Sequence, residues 1–536
     1  MRKCMLVGAA LALMLLVAAC GGTAGKSVST ASTEAAGSSK PYPELRWGEL
    51  AFPGRLNYYD NIQPPSDLTP QSLVTLTLVE FAPDGLIKKS GYLATNEQVN
   101  PTTYVYHLKP RKFSDGTPLT SADVVFSMRQ HLYGKESPWG IFWKDMASVT
   151  AQGKSTVVVK LKRPEAVWQD MLAFNSQIVE KAQSERVGEK ALGTPGHLLI
   201  GAGPWKYDSF TPNVSITLSR NPYWAGPAQP AQKITFSLFK EESAEALALR
   251  SGAIDGASNY VTPKVFQNIP GTKQLATPGT GETYIAMNTT QAPFNDVHVR
   301  RAIAYAIDVK GIIKALFPEG QAVEATSIVP RSLFGDLGSE QQQNEIVDSL
   351  PTYGLNLSAA RKELQKSAYP HGFSTTIEVN QTIYDQTLIA QIAASDLAKI
   401  GIHVKIDDFP ASEEADIFGK RITLLVTEVI PGYLDPEGTM QFLLLPNPSP
   451  EVVINASYYS NATVLRLMKE TAESGNVITR RKLIGEILRI VGSEEPDLPI
   501  YSRTTLATVS DKYVYPNFSY WTSILTPWAL SVKLAK

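Results

Sequence analysis

Short helices and strands that mix from end to end, without an internal repeat, predict a chain of α/β or α+β lobes. Three observations carry that reading. The chain has 536 residues, whereas single hydrophobic cores stop growing near about 250–300 residues, so two or three lobes are expected. Alternating strand patterns such as TTYVYHL (102–108) and KITFSLF (233–239) are interleaved with helical patterns such as AEALALRSG. Composition is that of an ordinary globular protein, 43% hydrophobic and 19% charged.

The first residues, MRKCMLVGAALALMLLVAAC, pair a basic start (Arg2, Lys3) with an apolar stretch from Met5 to Ala19. That is the pattern of a secretory signal peptide, 1–19, too short to cross a bilayer comfortably. Val17-Ala18-Ala19-Cys20 resembles a bacterial lipobox, so Cys20 is the expected lipidation site and the outer face of the cell membrane the expected location. Cys4 falls in the removed segment, which leaves no thiol for a disulfide. Residues 20–43, rich in Gly, Ser, Thr and Ala, read as a flexible tether. GGTAGKS within it is a false phosphate-binding loop, because the spacing requires glycine where Cys20 stands.

Downstream, Ser114-Asp115-Gly116 supplies a turn after the 102–108 strand. Thr120-Ser-Ala-Asp123 then has the look of a capping box that uses aspartate, ahead of Val124, Val125, Met128 and Leu132 on one helical face. GAGPWKYDSFTPNVSITLSRNPYW (201–224) gives a glycine bend, a strand and an aromatic turn. The helix from Ala244 is placed to end at Gly252. In APFNDVHVRRAIAYAIDVKGIIKALF (292–317), Asn295 or Asp296 caps a first helix and Asp308 a second. Arg300 and Arg301 fall off the apolar stripe and are assigned to a solvated face. Helices follow at 358–369 and 385–401, then a strand at 402–406, a helix from Thr479 to Glu495 and a strand from Leu498 to Val509. RITLLVTEVIPGYLDPEGTM (421–440) begins as a strand, breaks at Pro431-Gly432, and is read as placing Tyr433, Asp435 and Glu437 on a loop.

Chemistry is hard to find. Lys plus Arg number 50 against 51 Asp plus Glu, so there is no basic footprint for nucleic acid. Six scattered histidines give no metal spacing, there is no nucleophile elbow, and the acidic pairs Asp407-Asp408 and Glu413-Glu414 are read as sitting in polar loops. No catalytic residue, metal or cofactor is expected. The 22 Tyr and 8 Trp are the positive signal, because stiff amphipathic rings suit a cleft that grips a solute without reacting with it.

Taken together, YVYHLKPRKFSDGTPLTSADVVFSM, GAGPWKYDSFTPNVSITLSRNPYW, ALALRSGAID, APFNDVHVRRAIAYAID and TRRKLIGEILRIVGSEEPDLPIY resemble, in order and spacing, the family 5 extracellular solute-binding proteins. These are the peptide- and nickel-binding receptors of ABC importers, and the resemblance spans about 45 to 510. It implies an α/β, three-lobed periplasmic-binding-protein-like fold of type II (cluster C) with a ligand cleft between two main lobes. Lobe I would take 44–75, 198–280 and 505–536; lobe II, 76–197, would be inserted in it; lobe III would take 281–504. It also implies a monomer that carries a peptide or small solute to permease and ATPase subunits. Tyr284, Tyr501 and Arg503 match cleft-facing positions of the family. In the family's peptide receptors the 421–440 segment resembles W-x-x-D-Y-x-D/E-P, whose first aspartate pairs with the peptide α-ammonium. Here Gly432 takes that place and no tryptophan precedes it. A buried ammonium without its counter-charge costs several kcal/mol, so Asp435, Glu428 or Glu437 must substitute, with Tyr433 beside them, or the ligand is a non-peptide such as an oligosaccharide or metal chelate. A transport-incompetent scaffold or regulator of envelope assembly is the alternative class, and an extracytoplasmic hydrolase a third.

Overall fold

The computed structural model describes residues 37–38, 40–50, 54–57, 68–82, 86–133, 143–258, 263–318, 320–381, 383–410, 417, 422–447 and 455–536. The expected signal peptide, Cys20, nearly all of the tether and Glu413-Glu414 lie outside the described residues.

Two strands organise the molecule. Thr272–Met287 and Asp497–Ser510 run antiparallel over almost their whole length, from Thr272 opposite Ser510 to Ala286 opposite Asp497, with irregularities between Pro278 and Glu282 and between Thr283 and Tyr284. Toward one end, Asp497–Ser510 pairs with Gly256–Ser258 and so with Tyr42–Glu49, Ala231–Leu238, Ser215–Arg220 and Trp205–Thr211. Toward the other, Thr272–Met287 pairs with Leu424–Val429, followed by Phe373–Asn380 and Ile402–Phe409. With Ala322–Glu324, which also pairs with Asp497–Ser510, the described residues form one eleven-stranded sheet in two halves that share a crossing pair. At the crossing, a Cβ on Gly279 would lie 1.6 Å from the Arg503 carbonyl oxygen, so only glycine lets the strands approach this closely.

Each half carries its own core. One packs Trp47, Trp205, Phe236 and Trp528; the other splits across the sheet into a cluster with Ile303, Ile377 and Tyr501 and a cluster with Tyr284, Met440 and Ile484. A separate four-stranded antiparallel sheet, ordered Ala94–Asn100, Thr103–Leu108, Thr156–Leu161, Met146–Gln152, builds a third core around Tyr106, Trp143 and Trp168. There the Trp168 indole N–H donates to the Tyr106 hydroxyl at 3.1 Å.

Most expected elements form where their local signals place them. Asp296 and Asp308 cap Val297–Ala306 and Val309–Leu316 through the N–H groups of His298 and Gly311. Gly252 ends Glu242–Ser251 in the left-handed conformation, φ 71°. Asp123 accepts from the Thr120 N–H and hydroxyl, both 2.9 Å, and also from the Lys181 N–H at 3.1 Å, tying two helix starts together.

Three readings need correction. Glu437 is helical: Asp435 is the N-cap of Pro436–Leu444 and accepts from the Glu437 N–H at 2.8 Å. Asp407 and Asp408 belong to the strand Ile402–Phe409. Arg300 and Arg301 do not face solvent as a pair. Arg300 is only 5% exposed and donates to the carbonyls of Phe294 and Glu494, and Arg301 donates to that of Ser493. Both satisfy carbonyls at the C-terminal end of the helix Val477–Glu494, where a cation also complements the helix dipole.

Candidate functional site: a cleft at the strand crossing

Glu428, Thr283 and Tyr501 are aligned across three neighbouring strands, and residues opposite one another in a sheet point to the same face. Tyr284, one residue on, turns to the other face. On the first face the Tyr501 hydroxyl and the Arg503 guanidinium both donate to Asp385 Oδ2, at the start of the helix Tyr384–Ala398. The Arg503 guanidinium lies 6.0 Å from the Phe317 ring centre and 5.9 Å from that of Tyr501, a cation–π arrangement that fixes its plane. Its Nε has no acceptor among the described residues.

Glu428 completes the cluster. Its side chain touches water, yet it lies between walls dense enough to desolvate it. That desolvation raises its carboxyl pKa, Arg503 pulls it down, and Asp385 pushes it up again. Behind Glu428, buried Glu282 accepts from the Ser502 hydroxyl, and burial pushes its carboxyl up to about 8.

A cavity of about 510 Å³ opens beside the crossing, within the size range of small-ligand sites. Four separate parts of the chain wall it: Ile87 and Asp170 from the part that carries the small sheet, Thr277 and Thr280 from the crossing strand, Ser332 and Asp336 with Leu434 from one half, and Phe518 with Trp521 from the C-terminal segment. Asp170 stands on the helix Trp168–Asn175 and Asp336 on the 3-10 turn Arg331–Leu337. Burial and then the charge of Asp435 raise both carboxyls, Asp336 to about 7 and Asp170 well above its usual range. A cavity wall of this kind favours a cationic or hydrogen-bond-donating solute.

Of the six residues expected at the ligand, the structure brings Glu428, Tyr501 and Arg503 together, but Tyr501 is 0% exposed and none of the three lines the cavity of about 510 Å³. Tyr284 is buried among Ile328, Leu333 and Met440, and Tyr433 is fully buried in the core around Trp168. Asp435, 0% exposed, receives the Arg480 guanidinium at 2.7 Å, with Glu437 on the same nitrogen at 3.0 Å. Asp336 is 3.4 Å from another nitrogen of that guanidinium. Asp435 therefore caps a helix and balances Arg480. Asp170, Asp336, Asp385 and Trp521 were missed by the sequence reading. An aromatic run at NFSYWT (517–522) was the available signal for Trp521; nothing local marks the aspartates.

Among the described residues no group of three or more His, Cys, Asp or Glu is placed to hold a metal ion, and no helix is long and apolar enough to cross a membrane.

A mixed α/β protein whose halves share a crossing strand pair, with a cavity beside the crossing, defines the class of fold. Residues 90–451 match the family described as bacterial extracellular solute-binding proteins, family 5, and the chain belongs to that family. Among its relatives, the glutathione-binding protein GsiB of Escherichia coli K12 is 24% identical over 439 residues, covering 78% of this chain and 82% of GsiB. DppA of Helicobacter pylori, solved with the peptide STSA, superposes with a TM-score of 0.78 at 20% identity, over 93% of this chain and 99% of DppA. NikZ of Campylobacter jejuni, solved with Ni(L-His), gives 0.76 at 17% identity, over 91% and 99%. These structural likenesses carry the fold.

Proposed function

We propose that the protein is the solute receptor of an ABC importer, anchored outside the cell membrane through lipid on Cys20. It captures an oligopeptide or peptide-like solute at the strand crossing and delivers it to a permease driven by separate ATPase subunits. The carrying observation is the cavity of about 510 Å³ walled by four separate parts of the chain. A solute that touches all of them stabilises the closed arrangement by its differential affinity. In this reading residues 44–75, 198–280 and 505–536, 76–197, and 281–504 act as three lobes, and the receptor works as a monomer without enzymatic activity. Glu428 and Arg503, at the crossing beside that cavity, face the solute; Tyr501, itself 0% exposed, holds Asp385 behind them, and Asp170 and Asp336 on the cavity wall receive the solute's cationic or donor end. Those two stand in for the carboxylate that Gly432 lacks, since Asp435 is occupied by Arg480.

The test is a thermal-shift screen of the protein against peptide pools, glycans and metal chelates, paired with native mass spectrometry for a co-purifying mass. A true ligand at about 100 times its dissociation constant should add about 2.7 kcal/mol. Arg503→Met should then weaken that ligand at least roughly tenfold while leaving the fold's circular dichroism unchanged. Stabilisation by no solute class would defeat the receptor reading, and capture of envelope enzymes in place of permease subunits would favour the scaffold alternative. For the anchor, Cys20→Ser in the full chain should move the protein from the membrane fraction to the soluble one and abolish labelling by a clickable fatty acid.

A further inference from the structure

A second cavity, of about 320 Å³, lies within the 281–504 half at the Asp497 end of the crossing strand, and shares no lining residue with the first. Its walls are aliphatic, from Val309, Val347, Leu350, Leu488 and Leu498, and its deepest polar groups are two carboxyls, Glu495 and Asp497. Both are nearly inaccessible, 3% and 2% exposed. The Glu495 side chain meets no hydrogen-bond donor among the described residues; Asp497 Oδ2 accepts from the Ser457 hydroxyl at 3.1 Å, whereas its Oδ1 has no partner among them. Glu324 and Asp348, both exposed, stand at the rim.

Among the described residues no cation forms an ion pair with either buried carboxyl, although the charges of Arg300 and Arg301 are felt there. Arg300 donates to the carbonyls of Glu494 and Phe294, and Arg301 to that of Ser493. Neither is within ion-pair distance of Glu495 or Asp497 among the described residues, and neither lines the cavity. Lys310 reaches only Glu324, at 3.8 Å. The Tyr353 hydroxyl is committed to the Gly492 carbonyl at 3.0 Å, and Tyr284, behind the sheet, is buried. A carboxylate out of water without a counter-charge costs several kcal/mol, so such a group either holds a proton or waits for a cation. Burial raises both carboxyls, Asp497 to about 7 and Glu495 well above its usual range.

We propose that this cavity is a second ligand site that takes a small organic ammonium ion, the charged head between Glu495 and Asp497 and the hydrocarbon body against the aliphatic wall. Two carboxyls in an apolar enclosure suit an ammonium with a tail better than a bare metal ion, which would require more oxygen ligands than these. Because burial favours the protonated carboxyls in the empty site and an ammonium favours the ionised ones, binding releases protons and strengthens as pH rises through the range in which Asp497 titrates, about 7.

The experiment is isothermal calorimetry of the whole protein with hexylammonium chloride at about pH 8 and about pH 5.5, with 1-hexanol as the uncharged counterpart. Binding should be at least roughly tenfold tighter at the higher pH, and the alcohol should bind at least tenfold more weakly than the amine. The double variant E495Q/D497N should lose the preference for the amine. Should that variant fold poorly, Val347→Phe, which fills the cavity from its wall, should abolish binding of both compounds. Arg503→Met should leave amine binding unchanged, separating this site from the one at the strand crossing. Equal binding of amine and alcohol, absence of heat at either pH, or full amine affinity in E495Q/D497N would overturn the proposal.

Discussion

Replacing Arg480 by methionine is expected to lower the unfolding free energy by about 3–5 kcal/mol, the cost of breaking a buried pair from one side. Arg480 joins Asp435 at 2.7 Å, Glu437 at 3.0 Å and Asp336 at 3.4 Å. Burial alone would lower the guanidinium pKa, but the carboxylates outweigh it and raise it. Methionine keeps the apolar stem and removes the charge with its N–H donors, leaving two buried carboxyls and a half-buried one to repel one another. Urea unfolding near neutral pH measures the loss. Adding Glu437→Gln to the Arg480→Met variant should recover part of it, because one uncompensated charge goes with it. A loss below about 1 kcal/mol would mean that the site hydrates when opened, as exposed pairs do. The consequence reaches the cleft, since Asp336 also walls the cavity beside the crossing. Loss of Arg480 should therefore disturb the ligand wall as well as the core.

The Arg480 cluster shows where sequence reasoning stops. The strand Leu424–Val429 and the break at Pro431-Gly432 were legible, because alternation and turn chemistry are local. The helix after the break was also signalled, by aspartate at the N-cap and proline in the first turn, but the segment was read as a loop from the break at Pro431-Gly432 onward. What no local pattern contains is that the carboxylate at 435 is claimed from a helix 45 residues away. The same holds for Asp385, 118 residues from Arg503. Arg300 and Arg301 failed for another physical reason. The stripe argument allows a helix one buried face, whereas Val297–Ala306 is also covered by the end of Val477–Glu494, whose free carbonyls need donors. Glu428, Tyr501 and Arg503 came together because they sit on strands, where the period of two fixes the face once the register is known. The register itself came only with the structure.

Glu245 carries the expectation with the clearest sign. It lies in the helix Glu242–Ser251 beside Ala246 and Leu249, is 0% exposed, and has no hydrogen-bond partner for either carboxyl oxygen among the described residues. The chain makes room for it with Gly48, where a Cβ would come within 2.4 Å of Glu245 Oε1. Burial, and then the charge of Glu242, push its carboxyl up to about 8. In the unfolded chain the same group titrates near about 4.3. The folded state therefore holds a proton that the unfolded state releases, and stability contributed in this way is complete at low pH and declines as pH rises from about 4.3 to about 8. Over that window the decline is about 3–5 kcal/mol, at about 1.4 kcal/mol per unit. Glu245→Gln keeps the shape and removes the titration. Its advantage over the parent chain should thus grow between about pH 5 and about pH 8 in parallel urea unfolding series, by roughly 3 kcal/mol. The difference in slope is the decisive quantity, because Glu282, Glu165 and Asp497, also raised by burial, titrate in both proteins and cancel. Parallel curves would show that water reaches the carboxyl through the wall at Gly48 and Ile254, and that the helix buries a charge it can still hydrate.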